Sequence, residues 1–165
     1  MGEMIPFRPT GLGARRPCRR AVPAAVWYER AIVAEEGGWP EAIALYERAI
    51  AANPEHADAH CNLGRLLHER GESARAEQHY RVALCVRDDV GVYWFNLGVS
   101  VEDQRRRAEA IACYRAALEH DPLIADAHWN LARLLDVSGD HAAQAEALRH
   151  LAAYRAMRDA TQRAR

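Results

Sequence analysis

Two stretches of this chain are nearly the same: Ala57-Asp58-Ala59-His60-Cys61-Asn62-Leu63-Gly64-Arg65-Leu66-Leu67 and Ala125-Asp126-Ala127-His128-Trp129-Asn130-Leu131-Ala132-Arg133-Leu134-Leu135. They lie 68 residues apart and Trp94-Phe95-Asn96-Leu97-Gly98 falls midway, so the period is 34. A second string keeps it: Glu41 to Ile50 recurs as Ala76 to Leu84 and again as Glu109 to Leu118. A fixed period of this length constrains the fold more than any composition does. Each unit is one supersecondary piece that cannot bury its apolar face alone, so the units must stack. They run about 23–56, 57–90, 91–124 and 125–160.

Each unit reads as two helices. In the first, Leu63 and Leu67, Leu97 and Val101, and Leu131 and Leu135 recur at i, i+4, which makes one face apolar. Gly71 and Gly139 stand where a left-handed residue would stop that helix. In the second, Ala42, Tyr46 and Ala49 recur as Ala76, Tyr80, Ala83 and as Ala110, Tyr114, Ala117, a small-large-small stripe. Small residues let the helices approach, and the tyrosines fill the space between them. Asn53-Pro54 and Asp121-Pro122 end two of the second helices.

Trp94, Leu97-Gly98, Val101, Ala110, Tyr114, Ala117 and Pro122 together follow the pattern of the tetratricopeptide repeat, which residues 23 to about 160 resemble. The resemblance implies an all-α fold: a right-handed α-solenoid of about four helical hairpins, with a concave face lined by the first helix of each pair and an extended C-terminal capping helix. It also implies a module that binds a protein or peptide partner. More narrowly, His60 to Leu67, Trp94 to Asp103 and Ala147 to Leu151 with Tyr154-Arg155 resemble the repeat region of bacterial regulators that join a MerR-type helix-turn-helix to such repeats. This supplies an alternative: a regulatory subunit acting with a separate DNA-binding partner.

The pattern has departures. Arg30 stands where the first repeat wants Leu, so that helix reads as a worn N-terminal cap; Asp88-Asp89 replaces a Pro, and Arg105-Arg106-Arg107 replaces a Gly-led turn. About three extra residues follow Gly139. Residues 1–22 hold Pro6, Pro9, Pro17 and a basic run from Arg15 to Arg20, a composition that sustains no helix and reads as a disordered basic tail.

Half of the 165 residues are apolar, enough for one continuous core. All the positive charge is carried by Arg, which suits a GC-rich, bacterial source, and a net charge of -1 lacks the basic field of a nucleic-acid binder. Four scattered cysteines and no apolar run of membrane-spanning length point to a soluble, cytoplasmic protein with reduced thiols and no membrane partner.

Opposite the packing leucines, the first helices place Asp58, Asn62 and Arg65, then Phe95 and Asn96, then Asp126, Trp129, Asn130 and Arg133 on the expected groove. Asn62, Asn96 and Asn130 repeat at the full period, and an amide both donates and accepts, so a ladder of them suits the backbone of an extended ligand. In related repeat proteins Asn at the corresponding place does this; the other reading is a brace between repeats. Arg65 and Arg133 are planar donors for carboxylates unless the acidic neighbours Asp58, Asp126, Glu69 and Asp136 pair with them, and Phe95 and Trp129 are apolar anchors. His56, His60 and Cys61 are a weak metal motif, because Pro54 puts His56 outside the helix. No nucleophile elbow, phosphate loop or carboxylate pair appears, so no catalytic residue, metal or cofactor is expected. Self-association through the first repeat or the last helix is a further option.

Overall fold

The computed structural model describes residues 21–38, 40–136 and 140–163. The described residues form eight helices: α1 (Ala24–Glu36), α2 (Ala42–Ala52), α3 (Ala57–Glu69), α4 (Ser73–Val86), α5 (Gly91–Asp103), α6 (Arg107–His120), α7 (Ala125–Asp136) and α8 (His141–Arg163). Each odd helix packs against the even one that follows, and each even helix against the next odd one, which makes a solenoid of four hairpins. No helix among the described residues is long and apolar enough to cross a membrane. Most of the expected N-terminal tail and the expected stop at Gly139 lie outside the described residues.

The small-large-small stripe is the core. Tyr46, Tyr80 and Tyr114 are almost wholly buried, as are Ala49, Ala83 and Ala117 and Ala42, Ala76 and Ala110. The close approach that the small residues permit is literal. A Cβ on Gly64 would lie 2.8 Å from the Tyr80 ring, and one on Gly98 would lie 2.7 Å from the Tyr114 ring. In the fourth hairpin Ala132 takes the glycine's place where the chain has Leu151 instead of a tyrosine. In the second and third hairpins glycine thus accompanies the ring, and in the fourth alanine accompanies the smaller side chain.

The turns follow the period with one local cost. Gly71 ends the α3–α4 turn at φ +79°, and one period later Arg105 adopts the same left-handed conformation at φ 65°. Its turn closes with the same pair of bonds, Arg105 N–H to the Glu102 carbonyl (2.8 Å) and Arg106 N–H to that of Val101 (3.2 Å), as Gly71 to His68 (2.8 Å) and Glu72 to Leu67 (3.0 Å). The missing glycine therefore left the turn in place at a cost of about 1 kcal/mol for a side chain in that region. Between hairpins, Asn53 and Asp121 each accept the N–H two residues on, 3.1 and 2.9 Å away, and so shape two equivalent connections.

The first helix carries the least regular face. Ala31 and Ala34 are buried, while Arg30 and Val33 face outward beside Pro40, Glu41 and Leu45 around an open cleft of about 920 Å³. At the other end α8 runs 23 residues and buries only Ala147, which suits a capping helix with a polar outer side.

In the middle of the stack Ser100 is fully buried and its hydroxyl has no partner among the described residues, where the neighbouring repeats carry Leu66 and Leu134. An unmet buried hydroxyl costs about 1–3 kcal/mol, and Ala is the better helix former. Ser100→Ala is expected to stabilise the protein by about 1 kcal/mol, read as a higher urea midpoint at unchanged slope; a lower midpoint would show that the hydroxyl is satisfied.

Candidate partner-binding face

The odd helices lie side by side and are laced together by polar side chains. Glu35 of α1 pairs with Arg65 of α3. From α3 to α5, Asp58 accepts from the Tyr93 hydroxyl and His68 Nε2 lies 2.7 Å from Asp103. Glu102 of α5 pairs with Arg133 of α7. The periodic face opposite the packing leucines is therefore one continuous surface.

The three asparagines all stand on it, half-buried, and each directs its amide N–H to a neighbour in the preceding repeat. Asn62 donates to the hydroxyls of Tyr46 (3.2 Å) and Tyr28 (3.3 Å), and Asn130 to that of Tyr114 (3.4 Å). Asn96 points instead at the Cys61 sulfur, 3.4 Å away. The two tyrosines in turn donate to carboxylates, Tyr46 to Glu35 and Tyr114 to Glu102, each at 2.9 Å. Those same carboxylates hold Arg65 and Arg133. The junctions between the first and second and between the third and fourth hairpins thus carry one four-membered network each: Glu35, Tyr46, Asn62, Arg65 and Glu102, Tyr114, Asn130, Arg133.

The central junction lacks that network, because His68 and Val99 occupy the places of the acid and the guanidinium. Burial, reinforced by the adjacent carboxylates, pushes both tyrosine hydroxyls well above their usual range, so they remain neutral donors. Burial likewise pushes the Cys61 thiol up to about 11, where it keeps its proton. The sequence reading missed Glu35, although a glutamate stands 11 residues before Tyr46 and 12 before Tyr114 and could have signalled the pair.

The arginines are therefore engaged within the chain. Arg65 pairs with both Glu35 and Glu69, and Arg133 with Glu102. Asp58 serves Tyr93 rather than Arg65, and Asp126 is exposed in the first turn of α7, where the helix dipole favours its charge. Across α3, α5 and α7 the face carries Asp58, Glu69, Glu102, Asp103, Asp126 and Asp136 against Arg65 and Arg133, a clear acidic excess. Among these charges lies an apolar strip. Val92 is 47% exposed and Trp129 44%, while Phe95 is half-buried against the Tyr114 ring, with centroids 5.9 Å apart. Trp129 also meets the Tyr154 ring and opens on a cleft of about 300 Å³ with Leu148 and Leu151.

A stack of paired helices with a continuous, side-chain-rich face along its first helices is the architecture of a helical-repeat interaction scaffold. The chain matches the tetratricopeptide repeat at residues 33–89 and 95–160, and it belongs to that family. It is similar in fold to MamA, with a TM-score of 0.74 at 15% identity over 85% of this chain and 81% of MamA. It is also similar to the first repeat domain of Spaghetti (RPAP3) bound to the HSP90 peptide SRMEEVD, with a TM-score of 0.66 at 20% identity over 71% of this chain and 94% of that domain. In sequence, 124 residues are 29% identical to the human protein O-mannosyl-transferase TMTC3, a match that covers 74% of this chain and 14% of that protein. These likenesses support the repeat family and lend no support to the narrower resemblance to MerR-type regulators.

Proposed function

We propose that this chain is a non-enzymatic interaction module that holds an extended partner segment on the face formed by α3, α5 and α7, and that the segment is basic and apolar. The apolar strip of exposed Val92 and Trp129 with half-buried Phe95 and Val99, beside the exposed carboxylates of Asp126 and Asp136, carries this reading. Because Arg65 and Arg133 already have acidic partners, an acidic ligand would have to break those pairs, whereas Arg or Lys side chains meet Asp126 and Asp136 directly. Each asparagine keeps its amide oxygen for a peptide N–H while its NH₂ braces the repeat, so gripping and bracing coexist in one side chain. Self-association through the outer side of α1 and α2 is a separate option that solution size measurement decides.

Fluorescence polarisation with matched twelve-residue peptide pools, one rich in Arg and Leu and one rich in Glu and Leu, tests the reading. The basic pool should bind, bind more weakly as salt rises, and lose about tenfold or more with Trp129→Ala. Preference for the acidic pool, or indifference to Trp129, would overturn it. Changing Asn62, Asn96 and Asn130 together to Ala is expected to lower both stability and affinity, each lost bond contributing about 0.5–1.5 kcal/mol. A loss confined to stability would leave the asparagines as braces alone.

A further inference from the structure

Four histidines meet in two equivalent pairs outside the partner-binding face. His60 of α3 lies Nδ1 to Nδ1 with His79 of α4 at 3.0 Å, and its Nε2 lies 3.1 Å from the Pro54 carbonyl. Two periods on, His128 of α7 lies Nδ1 to Nδ1 with His150 of α8 at 2.7 Å, and its Nε2 lies 3.1 Å from the Pro122 carbonyl. Both carbonyls belong to the connection from the preceding hairpin, so each pair ties that connection to the two helices after it. The third hairpin makes the same tie by other means: Trp94 stands one period after His60, and its indole N–H donates to the Asp88 carbonyl at 2.8 Å, while Cys113 stands one period after His79. An indole N–H does not titrate, and an imidazole does.

The hydrogen bonds settle how many protons a pair can hold. A carbonyl only accepts, so His60 Nε2 carries a proton. Between the two facing Nδ1 atoms there is room for one proton and no more. Only the outer His79 Nε2 is left to gain one. A pair therefore holds two ring protons when neutral and three when singly charged; the fourth would set N–H against N–H. The same count holds for His128 and His150.

We propose that the two histidine pairs are acid-release staples: each ties a repeat junction while one bridging proton is shared, and a fully protonated pair must let its junction go. The surroundings add little that would oppose this. His60 and His79 face His56 from the α2–α3 connection and Arg75 from α4, and His150 faces Glu146 (3.8 Å) and Arg149 of α8 and Arg115 of α6. Burial lowers the affinity of His60, His79 and His150 for protons, and the partner imidazole lowers it further for His79 and His150. The Pro54 carbonyl at His60 and Glu146 beside His150 act the other way, and Arg115 holds Glu146 at 2.8 Å. The unfolded chain protonates all four rings near pH 6.5, so the staples act in full above that pH and are lost as pH falls below it. The junctions released are the two that carry the Glu-Tyr-Asn-Arg networks, whereas the Trp94 tie of the central junction holds.

Two measurements test this. In nitrogen-15 spectra of the histidine rings, His60 and His128 should keep an unprotonated Nδ1 throughout the pH range in which the protein stays folded, while His79 and His150 gain their proton at Nε2. Imidazolium signals from all four rings in the folded protein would overturn the proposal. Second, the folding constant from urea unfolding should fall between pH 7 and pH 5 by at least about 25-fold for each pair, one excluded proton with an unfolded pKa near 6.5. Grafting the third hairpin's tie onto the others, His60→Trp with His79→Cys and His128→Trp with His150→Cys, should remove that fall. A wild-type folding constant that stays level over this range would overturn the proposal without reference to any variant.

Discussion

Replacing Tyr114 by Ala is expected to destabilise the protein by about 3–5 kcal/mol, the cost of emptying a large, fully enclosed aromatic site. The ring is 0% exposed, fills the space that Gly98 leaves open, and packs against Phe95. Its loss also strands two polar partners, since Glu102 and Asn130 both bond to its hydroxyl. Tyr114→Phe separates the contributions: it keeps the ring and should cost only about 1 kcal/mol, the net worth of an ordinary hydrogen bond. Because hairpins in a stack unfold with their neighbours, the alanine variant should also make unfolding less cooperative, with the fourth hairpin separating from the first two. Urea unfolding followed by circular dichroism measures both effects; an alanine variant within about 1 kcal/mol of wild type would mean that the ring's site is not closed.

Gly98→Leu is expected to cost about 3 kcal/mol, the upper part of the usual range for overpacking. Even a methyl group there would lie 2.7 Å from Cε1 of Tyr114 and 3.2 Å from Cβ of Cys113. The ring cannot swing away cheaply, because its hydroxyl is held by Glu102 at 2.9 Å. The fourth hairpin shows the chain's own way of relieving this contact, alanine at position 132 with Leu151 in the tyrosine's register. Gly98→Ala should accordingly be less harmful when combined with Tyr114→Leu than the two single effects added together predict, a coupling that a double-mutant cycle reads directly. Additivity would show that the two sites do not touch.

Much of this architecture is written in the spacing of residue types. The period of 34, the i, i+4 leucines and the small-large-small stripe are local facts, and helix geometry turns them into hairpins with one buried side. The register of Asn62, Asn96 and Asn130, and that of Phe95 and Trp129, puts them on the face of α3, α5 and α7 that we propose binds the partner. Less legible was what those residues touch. Arg65 and Arg133 read as donors for an incoming carboxylate, yet Glu35 and Glu102 already hold them, which turns the face from mixed to acidic.

Sequence alone determined that this chain is a stack of helical hairpins in which small residues let tyrosines pack between the helices, because both follow from residues that meet at the spacing of a helix or a repeat. Tertiary structure alone decided that the first and third junctions are braced by Glu-Tyr-Asn-Arg networks while the central one is not. It alone decided that His60 and His128 each find a second histidine. The physical reason is distance along the chain. These contacts join side chains 11 to 31 residues apart, and their partners depend on how two helices settle against each other, which no spacing rule encodes.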